Sequence, residues 1–191
     1  MTKLIVIVGL SLLLSPRVHA QDRPKVEVFG GVSYARVRLP DENLTAKGWH
    51  AMVTVNSALG WVDLVADFSS HRGSLGEATT KTNVAMAGFR TSLQIGRLVL
   101  FAHTLYGVSF GHPPLFRDQE IAPKQRVWFT FAPIGGGADI VLTRNIALRI
   151  AQFDLIFHTK APDYSQTFLQ ESYSTRQYRF SCGIVLRFGK A

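Results

Sequence analysis

The sequence predicts an all-β fold, an eight-stranded antiparallel up-and-down β-barrel, on the basis of three observations. The 191 residues are 47% hydrophobic and only 18% charged, so the chain is too apolar to be disordered. Beyond residue 20, no uninterrupted apolar run reaches the roughly 18 residues that a membrane-spanning helix needs. The apolar residues instead alternate with polar or small ones, which is typical of strands whose two faces meet different surroundings.

The first twenty residues have the composition of a secretory signal peptide. Lys3 supplies a positive charge, Leu4–Leu14 forms an apolar core, and Ala20 provides a small residue at the cleavage position. We therefore predict a cleaved signal peptide over residues 1–20 and one barrel domain over residues 21–191. Export excludes the enzymes of cytoplasmic metabolism.

Eight runs of roughly 10–14 residues are rich in β-branched and aromatic residues and alternate with a period of two. They are Val26–Val37, Gly48–Ser57, Trp61–Ser70, Asn83–Ile95, Leu98–Gly111, Val127–Leu142, Asn145–His158 and Gln177–Phe188. The only cysteine, Cys182, lies in the last run and has no internal disulfide partner.

The connections between the runs are alternately long and short. The four long, polar connections are Leu39–Lys47, His71–Thr82, His112–Arg126 and Thr159–Arg176, and the short turns lie at Ala58–Gly60, Gly96–Arg97 and Thr143–Arg144. Long loops at one end and short turns at the other are typical of outer-membrane barrels. Barrel closure also pairs the sheet edges, which lipid is unable to satisfy with hydrogen bonds.

Most strands have one face without charge. In the last strand, the uncharged face is Phe180, Cys182, Ile184, Leu186 and Phe188, and it alternates with Arg179, Ser181, Gly183, Val185 and Arg187. An Arg or Lys among lipid chains costs about 2–4 kcal/mol at the bilayer midplane. The uncharged faces are therefore predicted to contact lipid, which makes this a transmembrane barrel. A soluble lipocalin-like carrier, the rival fold, would have an apolar lumen and a charged exterior.

Two strands depart from simple alternation. In Asn145–His158 the apolar phase changes after Ile150, and a β-bulge at Ala151-Gln152 would restore it. In the sixth run, Gly135–Gly137 interrupts the pattern. Because no Walker-type motif follows, we interpret these glycines as residues that permit curvature and close packing.

The opposite faces of the strands predict a charged lumen. Its predicted members are Glu27, Asp63, Asp67, Arg90, His103, Asp139, Arg149, Asp154, Arg179 and Arg187, with His50 among them. Eight strands enclose a space that side chains just fill. The charges must pair to offset their desolvation, so we predict a structural salt-bridged network. The alternative is a narrow polar pathway that opens when those pairs rearrange.

Three aromatic residues are candidates for the membrane boundaries. Trp49 and Tyr106 lie toward the predicted external ends of their strands, and Phe188 lies at the opposite end. Aromatic girdles of this kind fix the height of a barrel in the bilayer. Ordinary strand composition is the alternative explanation, because aromatic residues favour strands in general.

Six short segments carry a resemblance to a known family. They are Val26–Tyr34, Leu64–Ser69, Phe101–His103, Gly135–Asp139, Ile146–Arg149 and Ser181–Gly189. In order and spacing these segments resemble the small eight-stranded outer-membrane β-barrels of the OmpA-type membrane domain, above all the acidobacterial outer membrane protein β-barrel domain family. The resemblance implies location in a bacterial outer membrane and a structural, adhesion or surface-interaction role through long external loops.

Two other functions stay open at this stage. One is a narrow channel for small polar solutes, and the other is a lipid A-modifying enzyme. An enzyme of that kind needs a nucleophile beside a base. Ser69, Ser70 and His71 cluster at the end of the third strand, whereas His103 and Ser109 are too far apart to pair. We expect no enzyme activity and assign no catalytic residue.

We expect no metal and no cofactor, because the histidines are scattered without ligand spacing. The chain carries 21 Lys+Arg against 13 Asp+Glu, a formal charge of +8, but no continuous patch for nucleic acid. We expect a monomer whose partners are outer-membrane lipids, lipopolysaccharide among them, and the outer-membrane assembly machinery. Basic residues outside the lumen, such as Arg72, Lys81 and Arg117, are predicted to lie at the rims near lipid phosphates.

Overall fold

The computed structural model describes residues 24–38, 43–57, 61–75, 78–111, 126–160 and 175–189, which form eight β-strands. The strands are β1 (Val26–Arg38), β2 (Asn43–Val55), β3 (Asp63–Leu75), β4 (Ala78–Ile95), β5 (Leu98–Gly111), β6 (Arg126–Val141), β7 (Ile146–Lys160) and β8 (Thr175–Phe188). The predicted signal peptide, residues 1–20, lies outside the described residues. Across the part of the chain that the structure describes, no helix is long and apolar enough to cross a membrane.

The eight strands close into one barrel in sequence order. Each strand pairs antiparallel with the next, and β1 closes the barrel by pairing with β8 from Val26↔Phe188 to Arg38↔Arg176. The eight-stranded antiparallel up-and-down barrel predicted from the sequence is confirmed. The start of β1 and the end of β8 lie at the same end of the barrel as the short turn at Gly96-Arg97, and we call this the turn end.

For two of the four connections, the prediction of a long loop is wrong. β1 and β2 are separated only by residues 39–42, and β3 and β4 only by residues 76–77. Most of the predicted loop His71–Thr82 is therefore strand, and β2 begins at Asn43 rather than Gly48. The apolar alternation stops where outward-facing residues become polar, although the strands continue. The connections 112–125 and 161–174 are long, and they lie outside the described residues.

A bulge in β7 keeps its polar residues inside. The register against β8 shifts between Arg149 and Gln152, so the bulge lies at Ile150-Ala151, one residue before the predicted position. Arg149 and Gln152 are both buried as a result, with 1% and 0% exposure. In β6, a Cβ atom at Gly135 would collide with the side chains of His103 and Asp154, which fits the close packing predicted for the three glycines.

The two faces of the barrel have opposite character. The outward residues include apolar side chains that are about half exposed, such as Leu64, Phe89 and Ile184 at 55% each. Within the described residues, by contrast, every carboxylate faces the interior. These carboxylates are Glu27, Asp63, Asp67, Asp139 and Asp154, none of them more than 8% exposed. An apolar exterior around a charged interior is suited to a lipid environment.

The seam between β1 and β8 generates the first prediction. Gly31 faces Gly183 there, and a Cβ atom at Gly31 would collide with the backbone carbonyl of Cys182. A Gly31→Ala variant should lose about 1–3 kcal/mol of unfolding free energy, because the backbone there has no room to yield. The loss is measured as a shift in the urea midpoint of unfolding in lipid vesicles. Heat-modifiability on a gel reports the folded fraction at each urea concentration.

The neighbouring Gly30 provides a matched control. A Cβ atom there meets nothing within 4 Å, so Gly30→Ala should leave the midpoint almost unchanged. Equal effects of the two substitutions would show that the seam is not tightly packed.

Candidate functional site: the charged interior of the barrel

Strand alternation brings all ten predicted lumen residues together. Glu27, Asp63, Asp67, Arg90, His103, Asp139, Arg149, Asp154, Arg179 and Arg187 all face the interior, with exposures from 0 to 8%. His50, at 1% exposure, joins them. Charged groups buried this deeply must be paired, and their contacts divide the interior into three levels along the barrel axis.

The middle level is centred on Arg179 of β8. Its Nη1 and Nη2 atoms donate to the two carboxylate oxygens of Asp67 at 2.9 and 2.8 Å, and its Nε donates to Asp154 at 2.8 Å. Nη1 also donates to Ser69 Oγ at 2.8 Å. Paired N–H groups on a carboxylate form the strong, orientation-specific type of ion pair. One guanidinium therefore joins β8 to its neighbour β7 and, across the lumen, to β3.

A histidine contacts each of these two carboxylates. His50 Nε2 lies 2.6 Å from Asp67 Oδ2, and His103 Nε2 lies 2.7 Å from Asp154 Oδ1. The middle level thus holds one arginine, two carboxylates and two imidazoles. The histidines supply further donors to carboxylates that Arg179 alone leaves with unused lone pairs.

Gln152 links the middle level to the level nearer the turn end. Its Oε1 accepts from Arg149 Nη1 at 2.7 Å, and its Nε2 donates to Asp154 Oδ2 at 3.1 Å. Arg149 in turn donates to both oxygens of Asp139, at 2.8 and 3.0 Å. The network is therefore continuous from one level to the next.

Glu27 organises the level at the turn end. It accepts from Arg90 Nη1 at 2.9 Å and from Arg187 Nε at 3.2 Å. Arg90 also lies 3.6 Å from Asp139, and it pairs in register with Asp63. Three arginines and three carboxylates therefore share this level, so their charges balance.

Two phenylalanine rings are part of the same network. The guanidinium carbons of Arg90 and Arg149 each lie 4.3 Å from the centroid of the Phe101 ring. The carbon of Arg149 also lies 4.4 Å from the centroid of Phe29. Such contacts become stronger where water is excluded. Sequence reasoning missed this role, because an inward phenylalanine has the same alternation as any other inward residue.

The third level, toward the other end of the barrel, is uncharged and hydroxyl-rich. His71 is buried in the lumen, and its Nε2 atom lies 2.9 Å from Ser33 Oγ. The hydrogen-bond partner of His71 is therefore a serine of β1 and not one of its two sequence neighbours in the Ser69, Ser70 and His71 cluster. Ser181 Oγ donates to Ser33 Oγ at 3.0 Å and completes this cluster.

A second histidine cluster at this level was missed by sequence reasoning. His158 Nδ1 lies 3.0 Å from Ser109 Oγ and 3.1 Å from Thr130 Oγ1, while its Nε2 lies 2.8 Å from Gln177 Oε1. The alternation indicates that these residues point inward. Their height along the axis depends on strand register, and the sequence pattern carries no signal for it.

The interior leaves little free space near the turn end. A cleft lined there by Glu27, Arg90 and Arg187 has a volume of about 10 Å³, close to what one water molecule needs. Among the described residues, no group of three or more His, Cys, Asp or Glu side chains is arranged to hold a metal ion.

The predicted boundary aromatics lie on the outer face. Trp49, Tyr106 and Phe188 are 50, 61 and 49% exposed. The Trp49 ring contacts Phe68 on β3, with 5.3 Å between the centroids. Cys182 alternates with buried Ser181 and lies on the same outer face.

A closed eight-stranded barrel with an apolar exterior and a charged interior belongs structurally to the small transmembrane β-barrels. Neisserial surface protein A (NspA) has a similar structure, with a TM-score of 0.68, 10% identity, and coverage of 86% of this chain and 97% of that one. Ail, the attachment invasion locus protein of Yersinia pestis, is also similar, with a TM-score of 0.52, 12% identity, and coverage of 87% and 99%. At these identities the likeness shows the fold alone. No protein-family model and no curated protein matches the sequence.

The middle level generates the second prediction. Replacing Arg179 with Leu would leave Asp67 and Asp154 without their shared cation, so we expect a loss of about 3–5 kcal/mol in unfolding free energy. Urea unfolding in vesicles measures it. Arg187→Leu is the matched control, because Arg187 contacts one carboxylate near the barrel end. Equal losses in the two variants would contradict a central role for Arg179.

The third prediction concerns Phe101. Phe101→Leu keeps most of the apolar volume but removes the ring that Arg90 and Arg149 contact, so we expect a loss of about 1–2 kcal/mol. Phe89→Leu on the lipid face is the control and should cost less, since Phe89 is 55% exposed. The same urea assay compares them, and indistinguishable midpoints would exclude a stabilising cation–π contact.

Proposed function

We propose that this protein is an integral barrel of a bacterial outer membrane with a structural, adhesion or surface-interaction role, and that its interior is a closed plug. The observation that carries the proposal is the continuous ion-pair network around Arg179 and Arg149 inside an apolar exterior. A soluble barrel would have no reason to bury these charges and expose its apolar faces.

The lengths of two connections support the interaction role. The connections 112–125 and 161–174 are the long ones, and both join strand ends at the end opposite the turn end. Ail, whose fold is similar, is named for attachment and invasion. By analogy of fold, we propose surface recognition through these two segments rather than through four long loops.

We further propose that this chain is related to the OmpA-type membrane domains, and among them to the acidobacterial outer membrane protein β-barrel domain family. The segments that carry it include Gly135–Asp139 and Ser181–Gly189, which line the charged interior and the β8 side of the seam. Removal of residues 1–20 as a signal peptide and assembly by the outer-membrane machinery belong to the same proposal.

A narrow channel is the second candidate. Four buried nitrogen atoms have no hydrogen-bond partner within the described residues: Nδ1 of His50, His71 and His103, and Nε of Arg90. They occur at all three levels of the interior. Rearrangement of the ion pairs beside these polar groups would open a polar route for small solutes.

The fourth prediction tests location and fold together. The protein should fractionate with the outer membrane, and its folded form should migrate differently on a gel before and after boiling. A protein recovered in the soluble periplasmic fraction, with no heat-modifiability, would overturn the proposed function.

Conductance in planar bilayers separates the plug from the channel. We expect no steady conductance from the wild-type barrel, and stepwise conductance from a heat-modifiable Arg90→Ser/Arg149→Ser variant, because those two side chains fill the lumen near the turn end. Stepwise conductance from the wild type would favour the channel.

A further inference from the structure

The cations on the barrel wall are distributed unevenly. Beyond the lumen, six exposed basic side chains lie on the outer face toward the end opposite the turn end: Arg36, Arg38, Lys47, Arg72, Lys81 and Arg176. All six belong to the adjacent strands β8, β1, β2, β3 and β4. Outward positions of β5, β6 and β7 toward that end carry Tyr106, Phe131 and Phe157 instead, which pair in register. Among the outward side chains that the structure describes toward this end, one sector is therefore basic and the other is aromatic.

Three of the cations stand directly opposite one another. Lys47 pairs with Arg72, and Arg72 pairs with Lys81, so a row of three positive charges crosses β2, β3 and β4. We call Lys47, Arg72 and Lys81 the cation row. Neighbouring strands are about 4.8 Å apart, and like charges directly opposite each other destabilise a sheet. A row of this kind becomes favourable when an anion lies across it.

Charges elsewhere in the described structure do not neutralise the row. Every carboxylate of the described residues faces the lumen, so no described acidic side chain lies on the outer wall. The acidic residues closest in sequence, Glu42 and Glu77, lie outside the described residues. Within the described structure, the row is therefore open to an external anion.

The height of the row matches the edge of the lipid-facing belt. Lys47 lies eight residues along β2 from Val55, and Arg72 lies eight residues along β3 from Leu64. At about 3.3 Å per residue and a tilt of about 40°, this is about 20 Å along the axis, near the top of an apolar band about 25 Å tall. Trp49 and Phe68 lie just below the row on the same two strands, where an aromatic boundary is expected.

The connections above this sector are short. Residues 39–42 join β1 to β2, and residues 76–77 join β3 to β4, whereas both long connections belong to β5–β8. Lipid headgroups therefore have access to the cation row without a long loop above it.

We propose that the cation row, supported by Arg36, binds the phosphate groups of an outer-leaflet phosphoglycolipid of the lipid A type. This inference rests on the proposed outer-membrane location and names the lipid that the barrel wall selects. Three cations in line suit a headgroup that carries two phosphates on one disaccharide better than a phospholipid with a single phosphate diester. Charge-assisted hydrogen bonds from Lys and Arg to phosphate oxygens supply the affinity.

The fifth prediction uses the folded protein in a neutral detergent and counts bound lipid by native mass spectrometry. The triple variant Lys47→Gln/Arg72→Gln/Lys81→Gln should bind purified lipid A at least about tenfold more weakly than the wild type. The control triple Lys25→Gln/Arg97→Gln/Arg144→Gln removes the same net charge at the turn end and should bind like the wild type. Dephosphorylated lipid A should bind the wild type and the row variant equally.

A second measurement keeps the test decisive if the triple variant folds poorly. Arg72→Gln alone removes the central charge, so in neutral detergent its urea midpoint should rise while its affinity for lipid A falls. Arg72→Lys should retain binding.

Equal weakening by the two triple variants would show that net charge, not the row, governs binding, and would overturn the inference. Equal binding of lipid A and phosphatidylglycerol would overturn the choice of glycolipid. If the protein shows either of these binding results but is heat-modifiable and located in the outer membrane, the proposed function stands and only the lipid inference fails. Recovery of the protein in the periplasm overturns the proposed function itself.

Discussion

Arg179 makes the interaction on which the interior of this barrel depends. Its guanidinium group donates to Asp67 on β3 and Asp154 on β7, and neither carboxylate nor cation has any exposed side-chain surface. Charges removed from water to this extent are tolerated only when geometry and hydrogen bonding are both good. The requirement fixes the position of β8 relative to its neighbour β7 and to β3, which is remote in sequence. The histidines, Gln152 and the arginines of the turn end then extend the same network.

The faces of the strands were predictable because lipid and lumen impose a binary choice at each position. That choice reveals the eight strands, the inward position of Arg149 and Arg179, and the need for a bulge in β7. Partners within the lumen were not predictable, because alternation specifies the face of a residue and not its height. His71 meets Ser33, and His158 meets Ser109, only because of the register that closure imposes. The ends of β2 and β3 were missed because their outward residues lose apolar character before the strands end.

Carboxylates and cations are distributed differently between the interior and the rim of the barrel. Carboxylates of the described residues are confined to the lumen, where arginines compensate them, while the other cations whose side chains are described lie on the outer surface and at the turn end. The outer wall is therefore positive in one sector and aromatic in another. A barrel with this arrangement presents distinct faces to its surroundings, and lipids around it are not equivalent. The short β1–β2 and β3–β4 connections and the long connections of β5–β8 follow the same division.

The position of Arg179 on the final strand also bears on how the barrel is made. Asp67 and Asp154 precede in the chain the cation that joins them, and Glu27 on β1 pairs with Arg187 on β8 as well as with Arg90 on β4. A sheet without β8 would carry Asp67 and Asp154 without the cation that pairs them, and buried unpaired carboxylates are costly. The last strand therefore contributes the charge that makes the interior of the other strands stable. A chain truncated before β8 would form a markedly less stable barrel than the complete chain.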